Sequence, residues 1–174
     1  KRGIEVRLVP IVTDQGGRMS SSRIRSALET GDLDTAQLLL GRPYRFQGRV
    51  VRGRGLGREL GWPTANLQVD GRKFLPALGV YAAWAQIDGQ DERLPAVMNL
   101  GPQPTVDPTS PSAVEVHLLD RTIDLENRLI RVQPVKRLRG QKKFSGLDAL
   151  SQQIGLDAEQ ARERLAADAQ TTVG

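Results

Sequence analysis

The spacing of apolar residues along this chain changes period twice. Residues 4–12 alternate and are rich in β-branched side chains, the period-two pattern of a strand, and residues 13–17 (Thr-Asp-Gln-Gly-Gly) read as a turn. Ser21 or Ser22 is placed to cap a helix running to about Glu29, with Ile24 and Leu28 on one face. Thr30-Gly31-Asp32 breaks it. A second short helix is predicted over 33–40, ended by Gly41 with Pro43 behind. From Tyr44 the period returns to two. Strands are predicted over 44–52, 64–69, 79–87, 94–100, 113–120 and 129–138, with turns at Asp70-Gly71-Arg72 and Asp88-Gly89. A stiff loop spans 101–105 and a longer flexible one 107–112. Short strands at even spacing with turn chemistry between them predict a small antiparallel barrel, whose closure removes exposed edges. The helical period returns after the barrel. Ser145 caps one helix to Ile154 with Leu147, Leu150 and Ile154 as its apolar stripe, and Asp157 opens another with Gln160 at its third position and Ala161 and Leu165 inward. Residues 166–174 read as frayed.

Composition narrows the class. With 174 residues and 39% hydrophobic content, one cored domain with a small appendage is expected. The first strand and two helices are too small to enclose a core alone. No run of about 18 apolar residues predicts a membrane span, no secretory leader pattern is visible, and the cytoplasm is the expected compartment. Zero cysteines exclude disulfides, thiolate catalysis and thiolate metal sites. The net charge of +5 and pI near 10.1 fit a nucleic-acid binder. They fit a surface for an anionic nucleotide equally well. The arginines are scattered, and three phenylalanines and two tyrosines offer little for base stacking.

The densest chemistry lies in 53–66. Gly53, Gly55, Gly57 and Gly61 are interleaved with Arg54 and Arg58, ahead of Trp62-Pro63-Thr64-Ala65-Asn66. Glycines alone describe a solvated turn. They also describe a loop whose backbone N–H groups form an anion-binding concavity. Neither a Walker loop nor a dinucleotide fingerprint fits, since no Gly-Lys-Ser/Thr and no helix pattern follow. Pro63 fixes the chain direction, and Thr64 and Asn66, two apart on an extended segment, point the same way. Both are hard oxygen donors of the kind Mg²⁺ accepts alongside phosphate oxygens. In 114–120, alternation puts Val114, Val116 and Leu118 on one face and Glu115 and His117 on the other. A lone strand glutamate is ordinarily a solvated-face residue. His117 is the only histidine, so a zinc site or a serine triad is not expected, and a hydrogen-bonding role is. Trp62 and Trp84 read as core or pocket walls, and Asp120 as a strand-end residue.

Residues 53–66, ending Gly-Trp-Pro-Thr-Ala-Asn, together with Val-Glu-Val-His-Leu-Leu-Asp at 114–120 and Leu-Arg-Gly-Gln-Lys-Lys-Phe at 138–144, resemble riboflavin kinases in order and type over about 40–165. Upstream, Ser20 to Arg25 (Ser-Ser-Ser-Arg-Ile-Arg) resembles the closing motif of the adenylyltransferase half of bacterial bifunctional FAD synthetases. The resemblance implies a mainly β fold, a small closed antiparallel Greek-key barrel at 42–166 with C-terminal helices. Before it stands a strand-helix-helix remnant of an α/β nucleotidyltransferase domain at 1–41, and after it a tail at 167–174. It implies phosphorylation of riboflavin to FMN with ATP as co-substrate and Mg²⁺, no tightly bound prosthetic group, and a covalent upstream domain in the parent chain. FAD synthesis is not expected from this chain. Glu115 takes the place of the general base, Thr64 and Asn66 of the metal ligands, and Gly53, Gly55, Gly57, Arg58, Gly61 and Thr64 of the ATP site. Asn99, Thr105, Arg139 and Phe144 take flavin-side places. Gln141 stands where many relatives carry Glu, and Glu126-Asn127 where many carry Tyr-Gly. Two rivals remain at this point: a basic nucleic-acid-binding barrel, and an idle remnant docked on a partner.

Overall fold

A computed structural model describes residues 13–14, 17–53, 55–102 and 114–172. The strand expected over 4–12, Arg54 and Thr105 lie outside them. The elements in chain order are β1 (Thr13–Asp14), β2 (Gly17–Arg18), α1 (Ser21–Thr30), α2 (Leu33–Leu40), β3 (Phe46–Val51), α3 (Leu56–Glu59), β4 (Ala65–Val69), β5 (Gly79–Ile87), β6 (Arg93–Leu100), β7 (Val114–Leu118), β8 (Leu129–Arg139) and α4 (Leu147–Thr172).

Six strands close into an antiparallel barrel in the order β3-β4-β7-β6-β5-β8. β5, β6 and β7 form a meander, and β4 lies beside β7 rather than beside β5, which is a Greek-key connection. The alternation read from sequence sets the inside. Phe46, Val50, Leu67, Met98, Leu100, Val114, Val116, Ile130 and Val132 point into one core. β5 is buried on both faces, because its other side, Val80 and Ala82, packs with Val97, Ala158, Ala161 and Leu165 under α4.

The α1–α2 hairpin closes onto the barrel. Ala27, Leu28, Leu33 and Ala36 share the barrel's core, and the Ala77 N–H donates to Leu28 O at 2.8 Å. The cap of α1 is Ser20, whose hydroxyl accepts from the Arg23 N–H, one residue ahead of the position expected. α2 has the predicted bounds, fixed by the Asp32 carboxylate at one end and left-handed Gly41 at the other.

The C-terminal region departs from expectation. One continuous helix replaces the two anticipated on either side of Gly155, and it runs on through 167–172. Asp157 is not an N-cap but a buried side chain, and Leu147 is 54% exposed rather than part of the stripe. The buried stripe is Asp157, Ala158, Ala161 and Leu165. Packing against the outer barrel face overrides the weak helix preference of a single glycine, which costs about 1 kcal/mol relative to alanine. The Trp84 indole N–H, donating to Asp168 at 2.7 Å, ties down the far end.

Candidate active site

The glycine loop is more structured than expected. Within it α3 forms a single helical turn, and four backbone N–H groups are spent inside the loop. Arg58 and Glu59 donate to Gly55 O, Gly61 to Arg58 O, and Trp62 to Gly57 O. The anion-binding capacity inferred from successive free N–H groups is correspondingly smaller. The glycines divide by purpose. Gly55 and Gly61 have φ of +79° and +80° with open space around them, so they serve the turn. Gly53 and Gly57 serve close approach. A Cβ on Gly53 would stand 2.0 Å from Asn66 Nδ2, and one on Gly57 3.1 Å from Thr64 Oγ1. The loop therefore lies directly over Thr64 and Asn66.

Strand register brings the rest together. Asn66 on β4 is paired with Glu115 on β7, and Glu115 is paired on its other side with Asn99 on β6. Asn99 faces Val80 on β5, which faces Arg139 on β8. Directly opposed residues share a face, with Cβ atoms about 4.5–5.5 Å apart. Asn66, Glu115 and Asn99 are thus neighbours on the outer barrel surface, each half-buried. Thr64 stands just before β4 on the same side.

His117 fixes this group from below. Its Nδ1 lies 2.8 Å from Pro63 O; a carbonyl only accepts, so Nδ1 carries the proton. Its ring meets Trp62 edge-on, centroids 5.4 Å apart, and the Trp62 indole donates to Ser151 on α4 at 3.2 Å. Trp62-Pro63-Thr64 is held between β7 and α4, which gives His117 the hydrogen-bonding role its isolation indicated.

A cleft of about 970 Å³ opens on one side of the row. Arg52, Gly53, Gly55 and Arg58 form one wall, and Thr64, Ala65 and Asn66 the floor. The far wall is the β7–β8 connection from Arg121 to Glu126, of which the sequence reading marked only Glu126, as a departure from relatives. No spacing or composition signal marks it; it reaches the site only because the barrel closes. Glu115 does not line the cleft and stands across Asn66 from it. At the loop's start Asp120 adopts φ +60°, and hydrogen bonds from Arg162 hold its carboxyl below the ordinary carboxylate range.

On the opposite side stands the segment after β8. Arg139 grips Asp157 through Nε and Nη2 at 2.9 and 2.7 Å, and its guanidinium also sits over Phe144 at 5.8 Å. Asp157 accepts a further bond from Gln153. Arg139, expected on the flavin side, thus anchors the segment to α4, while Phe144 lies against Arg139 and Lys142 within the segment. Gln141 reaches across to Asn99.

A riboflavin kinase family model (flavokinase) matches residues 40–165. The chain belongs to the riboflavin kinase family. Among curated proteins it is 42% identical over 161 residues to the bifunctional riboflavin kinase/FMN adenylyltransferase of Pseudomonas fluorescens, covering 92% of this chain and 51% of that protein. It is 38% identical over 157 residues to the enzyme of the same description from Bacillus subtilis, covering 88% and 49%. The chain spans about half the length of the curated relatives it matches. A solved structure from Streptococcus pneumoniae, described as a macrolide-efflux protein, superposes with a TM-score of 0.78 at 36% identity, covering 88% of this chain and 50% of that one. That description concerns the other protein; the likeness bears on the fold. Family membership supports an ATP-dependent riboflavin kinase, and the nucleic-acid reading finds no support. Among the described residues no helix is long and apolar enough to cross a membrane.

Proposed function

We propose that this chain transfers the γ-phosphoryl group of ATP to the 5′-hydroxyl of riboflavin, giving FMN and ADP. The observation that carries the reading is the pairing of Asn66 with Glu115, beneath a glycine loop that leaves room for nothing larger over Asn66. The cleft on one side of Asn66 takes the nucleotide, with Arg58 and the backbone of Gly53, Gly55, Gly57 and Gly61 beside its phosphates. The flavin lies on the other side, against Asn99 and the segment that carries Phe144 and that Arg139 anchors; Thr105, outside the described residues, stays a flavin-side candidate on the sequence alone. Glu115 stands between the two.

A primary hydroxyl is a poor nucleophile. Glu115 accepts its proton as the new O–P bond forms and the bond to the ADP oxygen breaks, a contribution of roughly 10²–10⁴-fold. Most of the remaining acceleration comes from holding acceptor and phosphoryl in line and neutralising charge on the phosphoryl oxygens. Thr64 Oγ1 and Asn66 Oδ1 suit Mg²⁺ in chemical type. Among the described residues there is no cluster of three or more His, Cys, Asp or Glu to hold a metal by itself. This donor pair therefore fits an ion that arrives with ATP, whose phosphates and waters complete its shell. When bound, Mg²⁺ supplies charge neutralisation at the phosphates.

We infer further that residues 1–41 are the end of an adenylyltransferase domain in a longer parent and that the kinase unit runs from 42 to the end of α4, so that the tail expected at 167–174 belongs to that helix as far as Thr172. The parent would also convert FMN to FAD, in the cytoplasm. The packing of α1–α2 into the barrel core lets this remnant serve as a plug for the barrel's mouth. The test is direct: incubate the chain with riboflavin, ATP and Mg²⁺ and separate the flavins by chromatography. FMN appearing in step with ADP is expected; riboflavin returned unchanged would end the proposal.

A further inference from the structure

The β4–β7 pairing ends at Ala65 and Val116, one residue short of Thr64, and there a side chain takes over from the ladder. Thr64 is exposed and lines the cleft. The two residues before it are held from opposite sides. The Trp62 N–H donates to Gly57 O at 2.7 Å, and a Cβ on Gly57 would stand 2.4 Å from Trp62 O. The next carbonyl is met from β7, where His117 Nδ1 lies 2.8 Å from Pro63 O. Proline has no N–H, so this carbonyl is the one main-chain hydrogen-bonding group that Pro63 has.

We propose that His117 is a positioning residue for the nucleotide half of the site: its Nδ1–H fixes the Pro63–Thr64 peptide plane, and through it the direction in which Thr64 presents its hydroxyl. This rests on the phosphoryl-transfer reading above, in which Thr64 Oγ1 meets the Mg²⁺ that arrives with ATP. The peptide is planar, so a bond to Pro63 O also sets the Thr64 nitrogen and hence the start of its side chain. Thr64 is β-branched and stiff at χ1, so its hydroxyl follows its backbone. His117 shares the outer face of β7 with Glu115, but its bond goes to the segment under the glycine loop. Its loss is therefore felt in Mg²⁺ and ATP and not in riboflavin.

What the geometry requires at position 117 is a donor, since a carbonyl only accepts. Asparagine carries its Nδ2 as many bonds from the backbone as histidine carries Nδ1, and it can donate. Aspartate has the shape of asparagine but, ionised, only accepts, and so sets like polarity against Pro63 O. Leucine fills space and leaves the carbonyl without this donor. All three lose the edge-on contact of the imidazole with Trp62. A fall in stability common to them thus measures the ring, and a difference between asparagine and the other two measures the hydrogen bond.

The test uses the purified chain with His117→Asn, His117→Asp and His117→Leu. Calorimetry gives the Kd of ATP with Mg²⁺ in the absence of riboflavin, quenching of flavin fluorescence gives the riboflavin Kd, and a thermal melt reports stability. FMN formation gives kcat, both KM values and the Mg²⁺ concentration for half-maximal rate. Loss of one positioned hydrogen bond corresponds to about a tenfold change in affinity. His117→Leu and His117→Asp are expected to raise the Kd of Mg²⁺-bound ATP and the Mg²⁺ requirement by at least about that factor, with His117→Asn within about threefold of the parent. The riboflavin Kd should stay within about twofold throughout. Should one variant fail to fold, asparagine against either of the others still decides. Asparagine as weak as leucine or aspartate, or a loss that falls equally on riboflavin, would overturn the proposal, as would a parent that binds no Mg²⁺-bound ATP. A parent that binds both ligands but makes no FMN would instead count against phosphoryl transfer, and the binding constants would still decide the role of His117.

Discussion

Replacing Gly53 with alanine probes the site by a single methyl group. Gly53 does not have a positive φ, so alanine meets no backbone penalty, and the whole effect is steric. The new Cβ would lie 2.0, 2.5 and 3.0 Å from Nδ2, Cγ and Oδ1 of Asn66. Ordinary contact begins at 3.4 Å, so the Asn66 amide must retreat by about 1.4 Å, the difference between 3.4 and 2.0. A misplacement of about 1 Å in a positioning group costs on the order of 100-fold in rate, and overpacking of this kind costs about 1–3 kcal/mol in stability. Gly53→Ala is expected to fold, to melt a few degrees lower, and to lose about 100-fold in kcat/KM for ATP. Gly146→Ala is the control, since its Cβ would meet nothing within 4 Å. The assay is FMN formation over a range of ATP concentrations, with a thermal melt of each variant. A folded Gly53→Ala enzyme with the parent's kcat/KM would refute the placing of Asn66 in the nucleotide site.

Two further outcomes follow from the packing. Asp157→Ala removes a carboxylate whose side chain is 3% exposed and leaves Arg139, 21% exposed, without its partner. A loss of roughly 3 kcal/mol in urea unfolding is expected, and a loss below about 1 kcal/mol would show that the pair does not anchor the segment after β8. The chain's two tyrosines are both buried, and burial raises the pKa of Tyr44 and of Tyr81. A raised folded-state pKa keeps the proton on the native protein, so this stability is complete below the ordinary tyrosine value near 10 and is lost as pH rises beyond it. Tyrosinate absorbance should therefore stay flat through about pH 10 and rise only with unfolding above it; a reversible rise at pH 10 in the folded protein would contradict the burial.

Much of the fold is written locally. The strands were legible because one barrel face is core, and a period-two pattern in Val114, Val116 and Leu118 needs no knowledge of partners. α2 was legible to the residue because Asp32 and Gly41 cap it. α3 was not, since Leu-Gly-Arg-Glu between glycines carries no periodicity. Gly155 pointed to a break that does not occur, because the decisive facts are tertiary: Asp157 is buried against Arg139, and Trp62 lies alongside the helix. The site shows the same division. Residue types marked Thr64 and Asn66 as candidates and the family resemblance marked Glu115, but their adjacency is a matter of register between strands distant in sequence. The bond from His117 to Pro63, the cleft wall from Arg121 to Glu126, and the hold of Gln141 on Asn99 depend on barrel closure and left no local trace.

The central claim is that one carboxylate, across the strand from Asn66, takes the proton from the acceptor hydroxyl. Single-turnover FMN formation by Glu115→Gln measures it most directly, because glutamine keeps the shape and hydrogen bonding but is not a base. The account predicts a folded variant that binds riboflavin and ATP with near-parental affinity and is slower by at least about 100-fold. A single-turnover rate within a few-fold of the parent's would contradict it.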